Sequence, residues 1–184
     1  PGQNVVLTID HQIQANAEQV LARHVERWNA KGGTAIVMDP RTGAVLAMAN
    51  APTFDANVFP TTSAERRRNR AVTDVYEPGS TFKIVTISAA LEEKIVTPQT
   101  SFWLQPTINV ADRVIRESHA RRSTSMTVKQ ILSDSSNVGT VTIGQKLGEG
   151  TLASWIERYG FGSTTGVDLP GESPGMVLPL DHWS

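Results

Sequence analysis

Glu77-Pro78-Gly79-Ser80-Thr81-Phe82-Lys83, followed by an apolar run from Ile84 to Leu91, is the stretch on which both fold and chemistry turn. Pro78 fixes its own φ and Gly79 tolerates a sharp reversal, so the chain turns tightly there. Ile84, Ile87 and Leu91 recur at helical spacing and predict a helix that begins near Ser80 and buries that face. Residues three apart share a helical face, which puts the Ser80 hydroxyl and the Lys83 amine within mutual reach. A serine with an amine beside it is an activated nucleophile. The spacing alone is weak, because Ser-x-x-Lys arises by chance roughly once in a chain of this size.

The length of 184 residues suits one domain or a large piece of one. An apolar share of 39% supplies a core, and a net charge of −1 gives no bulk attraction to nucleic acid or a membrane surface. The dense basic cluster Arg66-Arg67-Arg68-Asn69-Arg70 reads as a solvated loop or a salt-bridged surface rather than a phosphate site. Absence of cysteine excludes thiol catalysis, disulfides and cysteine-based zinc sites. No run reaches the roughly 18 apolar residues of a membrane span, and no basic-then-apolar signal pattern is present. No spacing of Asp, Glu and His suggests a metal, and no cofactor is implied. The opening Pro1-Gly2-Gln3 reads as the middle of something longer.

Along the chain, Asn4 to Ile9 is rich in β-branched residues and predicts a short strand. Asp10 then caps a helix whose stripe is Ile13, Ala17, Val20, Leu21, Val25 and Trp28. Thr34 to Met38 and Ala44 to Ala49 predict a hairpin around Asp39-Pro40-Arg41-Thr42-Gly43. Asn50 to Arg70 lacks periodicity and reads as a long loop. Thr107 to Val110 and Arg113 to Ile115 predict a small hairpin about Ala111-Asp112. A short helix opens at Met126-Thr127 with Thr127 as cap, a second carries Val138, Val141, Ile143 and Leu147 to Gly148, and a last one runs from Thr151 to Tyr159. The Gly and Pro density beyond Gly160 predicts turns.

Ser135-Ser136-Asn137 lies between two of these helices. Short polar residues at such a junction usually cap the following helix. The functional alternative is that Ser135 and Asn137, two apart, project into one site, where a hydroxyl relays a proton and an amide both donates and accepts. The two motifs together say more. Ser80-x-x-Lys83 followed by Ser135-x-Asn137 resembles the penicillin-binding proteins and β-lactamases. The surroundings Arg68-Asn69-Arg70-Ala71, the hairpin Asp39 to Met48, Ser135-Ser136-Asn137-Val138-Gly139 and Leu169-Pro170-Gly171-Glu172 resemble a class B penicillin-binding protein. The resemblance spans nearly the whole chain, 1-184.

That family implies an α+β fold, β-lactamase/transpeptidase-like, with an antiparallel sheet, a helical lobe and the site between them. It implies an enzyme, a peptidoglycan D,D-transpeptidase of cell-wall biosynthesis, serving cell division or cell shape and targeted by β-lactam antibiotics. Its substrates are stem peptides ending in D-alanyl-D-alanine. Ser80 is the implied nucleophile that forms the acyl-enzyme, Lys83 its base, Ser135 a proton relay and Asn137 a clamp on the substrate amide. At its ordinary pKa only about 0.04% of Lys83 is neutral at pH 7, so the site must depress it by burial or nearby positive charge. The Ser80 N–H suits half of an oxyanion hole. The family's third motif, Lys-Thr-Gly or Lys-Ser-Gly, does not follow Asn137. The chain is therefore expected to be the N-terminal portion of the domain, with an incomplete sheet, an exposed edge and little acylation by penicillin on its own. The remainder of the domain, a membrane glycan synthase and division or elongation proteins are the implied partners. The implied location is the extracytoplasmic face of the cell membrane, anchored by a segment preceding this chain.

Rival readings fit less well. The class A β-lactamase pattern Glu-x-x-Leu-Asn is absent after Asn137, since Glu149, Glu157 and Glu172 lack it. Class C and class D enzymes resemble Tyr-x-Asn and Ser-x-Val at the second motif, and neither matches. A D,D-carboxypeptidase differs only in resolving the acyl-enzyme with water, and a non-catalytic penicillin-recognising sensor or scaffold would keep the fold without turnover. A Ser-His-Asp hydrolase lacks its Gly-x-Ser-x-Gly elbow. His119 reads as structural or as part of a cleft wall.

Overall fold

The Asp10 carboxylate accepts hydrogen bonds from the Gln12 and Ile13 N–H groups at 2.9 and 3.0 Å, and this cap starts helix α1 (His11–Arg27) where the sequence predicts it. The computed structural model of the protein describes residues 2–183. They form two compact units, one running to Asp74 and taking in Gly166–Ser173, the other running from Val75 to Thr165 and resuming at Pro174.

In the first unit, α1 lies against an antiparallel hairpin of β1 (Gly33–Met38) and β2 (Val45–Ala51). The predicted turn closes through Asp39, whose N–H donates to the Ala44 carbonyl at 2.9 Å, with Gly43 at φ +75°. Leu21 and Val25 of the α1 stripe seat over Gly33, where a Cβ would come within 3.1 Å of one and 3.3 Å of the other. The strand expected over Asn4 to Ile9 does not form. Asp10 N–H donates to Leu46 O at 2.9 Å, and the Gln14 side-chain amide takes both backbone groups of Met48 at 2.7 and 3.2 Å. The cap and helix thus occupy the edge of β2 that a strand would need, and Val5, Val6 and Leu7 stay exposed. β-Branched residues favour a strand only when a neighbour supplies the cross-strand contacts.

The stretch expected as a long loop, Asn50 to Arg70, holds more structure than its sequence shows. It contains a 3-10 turn (Ala56–Thr61) and α2 (Ala64–Arg67), and α3 (Arg70–Thr73) follows. Each is too short to display a helical period. Arg68 and Arg70 reach Asp74 at 3.1 and 3.2 Å, and Arg70 also reaches Glu65 at 3.2 Å, so these two arginines of the basic cluster are ion-paired, while Arg67 lies over the Phe59 ring.

The second unit is built around one helix. The predicted Ser80 helix begins as a 3-10 turn (Gly79–Phe82) and becomes α-helical only as α4 (Lys83–Glu92). Five residues of α4 are buried: Val85, Thr86, Ile87, Ala89 and Ala90. Ile87 and Ala90 join a core with Leu104, Val128, Ile131, Val138 and Ile143, while Val85 and Ala89 join Leu147, Trp155 and Ile156. Each fully buried Ile or Val in such cores stabilises by about 1.5–3 kcal/mol. α4 is therefore gripped from two sides and holds its first residue, Lys83, in a fixed place.

Around α4 run β3 (Ser101–Leu104), β4 (Thr107–Val110), β5 (Arg113–Arg116), β6 (Thr124–Thr127), α5 (Val128–Ser133), α6 (Asn137–Leu147) and α7 (Glu149–Arg158). The β4–β5 hairpin turns at Ala111-Asp112 as predicted. The β3–β6 pair was not foreseen, because Met126, which reads as a helix opener, lies in β6 opposite Phe102. Thr127 does cap α5, accepting from Gln130 N–H at 3.2 Å while its own N–H donates to Gln130 Oε1 at 2.8 Å. Antiparallel strand pairs and helices together make the expected α+β fold.

The α5–α6 contact gives a test. A Cβ on Gly139 would meet three Ile131 atoms at 2.7, 2.8 and 2.9 Å. Ala gains about 1 kcal/mol over Gly in helix propensity, but overpacking a tight contact costs about 1–3 kcal/mol. Gly139→Ala is therefore expected to destabilise the protein in urea unfolding. Gly150→Ala in α7 has open space and should stabilise by about 0.4–1 kcal/mol. A Gly139→Ala variant more stable than its parent would contradict the contact.

Candidate active site

Two elements converge. α4 presents Lys83 at its start, and the turn between α5 and α6 presents Ser135, Ser136 and Asn137. Ser135 sits at φ +54°, in the left-handed region that costs a residue with a Cβ roughly 1–3 kcal/mol. The turn closes through Ser135 N–H to Leu132 O at 3.1 Å and Ser136 N–H to Ile131 O at 2.9 Å. This conformation aims both the carbonyl and the hydroxyl of Ser135 at Lys83.

Lys83 Nζ donates to Ser135 O, to Ser135 Oγ at 2.9 Å and to Asn137 Oδ1 at 2.6 Å. Asn137 is fixed at its other end, where Nδ2 donates to Arg116 O at 2.8 Å. Its amide retains one N–H and one lone pair for a ligand. Ser80 lies on the exposed 3-10 turn, its carbonyl accepting the Lys83 N–H. Among the described residues, the Lys83 amine is bonded to Ser135 and Asn137 and not to Ser80. Three of the four predicted site residues are thus brought together, and Ser80 stands beside them on the same helical start. The mutual reach of Ser80 and Lys83 expected from i, i+3 spacing does not become a bond here. The amine turns instead to the acceptors of the α5–α6 turn.

Burial pulls the Lys83 pKa below its ordinary 10.5, and the nearby Glu117 charge opposes that pull. Of the two causes expected from sequence, burial or nearby positive charge, burial acts among these residues. Three acceptors suit an ammonium, which has three N–H groups. A neutral amine has two N–H groups and a lone pair, so it can serve Ser135 O and Asn137 Oδ1 while receiving a hydroxyl proton.

Ser136 takes the capping role that the sequence allowed for this tripeptide. Its hydroxyl accepts from Gly139 N–H at 2.9 Å and donates to Glu117 Oε1 at 2.7 Å. Glu117, in the segment after β5, is the functional-region residue that sequence reasoning missed. Its carboxylate also accepts from Asn137 N–H at 2.7 Å and Val138 N–H at 3.4 Å, and is paired with Arg121. Burial alone would raise its pKa. The hydrogen bonds from Ser136, Arg121 and the Asn137 N–H, with the Arg121 charge, outweigh this and hold it below the usual carboxylate range. The opposite charges of Glu117 and Arg121 at i, i+4 were the one visible signal, and nothing in the sequence ties them to a turn 19 positions on. His119 is exposed and shares a 3.0 Å hydrogen bond with the Ser118 hydroxyl.

Residues 33–184 match the family described as penicillin binding protein transpeptidase domain, and the chain belongs to it. Penicillin-binding protein PbpB of Mycolicibacterium smegmatis is 35% identical over 184 residues, which is 100% of this chain and 28% of that protein. A peptidoglycan D,D-transpeptidase FtsI homolog of Mesostigma viride is 36% identical over 164 residues, covering 85% of this chain and 27% of that protein. The chain therefore spans under a third of the length of these relatives. Penicillin binding protein 3 of Mycobacterium tuberculosis, solved in complex with ampicillin, superposes with a TM-score of 0.89 at 35% identity, covering 98% of this chain and 40% of that one. The expected fold family is thereby confirmed.

The Glu117 environment sets a pH dependence. A carboxylate whose folded pKa is depressed contributes stability that is present above its unfolded value and lost as pH falls through the lower folded one. Glu117→Gln removes a charged acceptor serving several donors and should cost about 1–3 kcal/mol at neutral pH. The difference in melting temperature between Glu117→Gln and its parent should be constant above the ordinary value of 4.5 and narrow below it. A difference independent of pH down to acid unfolding would contradict the ionised, paired carboxylate.

Proposed function

We propose that the full-length protein is a peptidoglycan D,D-transpeptidase working through a serine acyl-enzyme, and that it is acylated at the same serine by β-lactams. The observation that carries this reading is the half-buried Lys83 amine, caged by Ser135 and Asn137 beside the exposed Ser80 turn, in a chain of the transpeptidase family. Ser80 Oγ attacks the penultimate D-alanine carbonyl of a stem peptide as its proton passes to neutral Lys83. The Oγ–C bond forms, the C–N bond breaks, and the proton reaches the leaving D-alanine amine through the Ser135 hydroxyl. An acceptor amine from a neighbouring strand then attacks the ester, forming the cross-link and returning the proton to Ser80. Asn137 offers its remaining N–H and lone pair to the substrate amide. The Ser80 N–H, at the start of the 3-10 turn, suits one arm of an oxyanion hole.

The same reading puts the protein on the extracytoplasmic face of the cell membrane, among the proteins of division or elongation and a glycan synthase. No helix of the described residues is long and apolar enough to cross a membrane. The support is the relatives' printed roles as penicillin-binding proteins and D,D-transpeptidases.

Labelling of the full-length protein with a fluorescent penicillin tests the chemistry. Ser80→Ala should abolish labelling, and Lys83→Met should slow it by about 10²- to 10⁴-fold. The parent's rate should rise with pH along a limb lying below the ordinary lysine range, since burial depresses Lys83. Undiminished labelling of Ser80→Ala would overturn the reading.

A further inference from the structure

The left-handed Ser135 conformation is what gives Lys83 two of its three acceptors, so something must hold that turn against relaxation. Lys83 itself grips it from the site side. Three consecutive residues also bind one carboxylate: Ser136 Oγ at 2.7 Å, Asn137 N–H at 2.7 Å and Val138 N–H at 3.4 Å, all donating to Glu117. The neighbouring Arg116 carbonyl takes the Asn137 side chain at 2.8 Å. Residues 116 and 117 thus clamp the start of α6 along its backbone, its cap and its site-facing amide at once.

We propose that Glu117 is a positioning residue for acyl transfer, its carboxylate holding the Ser135–Asn137 turn in the shape that presents acceptors to Lys83. The proposal rests on the transpeptidase reading above. Glu117 forms no hydrogen bond with Ser80 or Lys83 among the described residues, and its side chain is only 8% exposed. It acts through Ser136 and Asn137. An anion is the right group for this place. The N–H groups opening α6 point at it and the helix dipole favours negative charge there. Arg121 donates from Nε at 3.2 Å and from Nη2, which fixes the carboxylate's orientation. A glutamine would offer one acceptor oxygen and turn an amide toward groups that are themselves donors.

Charge adds a second consequence. Glu117 opposes the depression of Lys83. Removing the anion should therefore lower the pH at which Lys83 becomes neutral, whereas loss of the turn's shape should slow the acylation step itself.

The test measures acylation of the full-length protein by a fluorescent penicillin across pH, for the parent, Glu117→Gln, Glu117→Asp and Ser80→Ala, with rates scaled to the folded fraction. Displacing the turn by about 1 Å should slow acylation in Glu117→Gln by around 10- to 100-fold. Most of this should fall on the acylation step rather than on initial penicillin binding, and the alkaline limb should move to lower pH. Glu117→Asp keeps the charge with a shorter reach, so its limb should stay at the parent's pH while its rate is only partly restored. It also keeps the test alive should the Gln variant fail to fold. Acylation of folded Glu117→Gln at the parent's rate would overturn the proposal whether or not its limb moves, as would a Glu117→Asp limb displaced from the parent's. Rapid labelling of Ser80→Ala would instead overturn the transpeptidase reading on which it stands.

Discussion

Lys83 joins two parts of the molecule that are 52 and 54 residues apart in sequence, through its bonds to Ser135 and Asn137. α4 and the α5–α6 turn are both held in place around that junction. α4 is clamped between two apolar cores, so its first residue has little freedom. The α5–α6 turn is held in a strained conformation whose cost is offset by the acceptors it places around the amine. A lysine in this position is paired with neutral oxygens and not with a carboxylate. Burial can therefore lower its pKa, which a direct ion pair would have raised.

The charge pattern around the site is graded. Glu117 is kept ionised by Arg121 and by the donors of α6, but its hydrogen bonds run to Ser136 and the start of α6 rather than to the amine. The carboxylate thus organises the site mechanically while acting on Lys83 only at a distance. Its charge and the lysine's burial pull in opposite directions, and burial prevails.

Much of this was legible in sequence wherever the signal is local. Asp10, Thr127 and the Asp39 turn mark element boundaries through their own side chains, and each stands where predicted. The helices carrying Val138 to Leu147 and Leu152 to Ile156 follow from apolar period alone. What failed was non-local. Asn4 to Ile9 has the composition of a strand, but Gln14 and Asp10 occupy the edge it would need. The β3–β6 pair joins four-residue segments separated by a hairpin, and no local pattern announces the partner. In the site, the motifs named Ser80, Lys83, Ser135 and Asn137, and the fold shows the Asn137 bond to Lys83. Glu117 stayed hidden because its role depends on a chain crossing that its neighbours in sequence do not encode.

On the proposed mechanism Ser80, beside the caged Lys83, is the group that becomes acylated. Tryptic mass spectrometry of the full-length protein after brief exposure to penicillin tests it most directly. Cleavage after Arg70 and Lys83 isolates Ser80 in the peptide Ala71 to Lys83, and cleavage after Lys129 and Lys146 isolates Ser135 in the peptide Gln130 to Lys146. One penicilloyl adduct is expected, on Ser80 in the first peptide. An adduct on Ser135, or an unmodified first peptide after complete labelling, would contradict it.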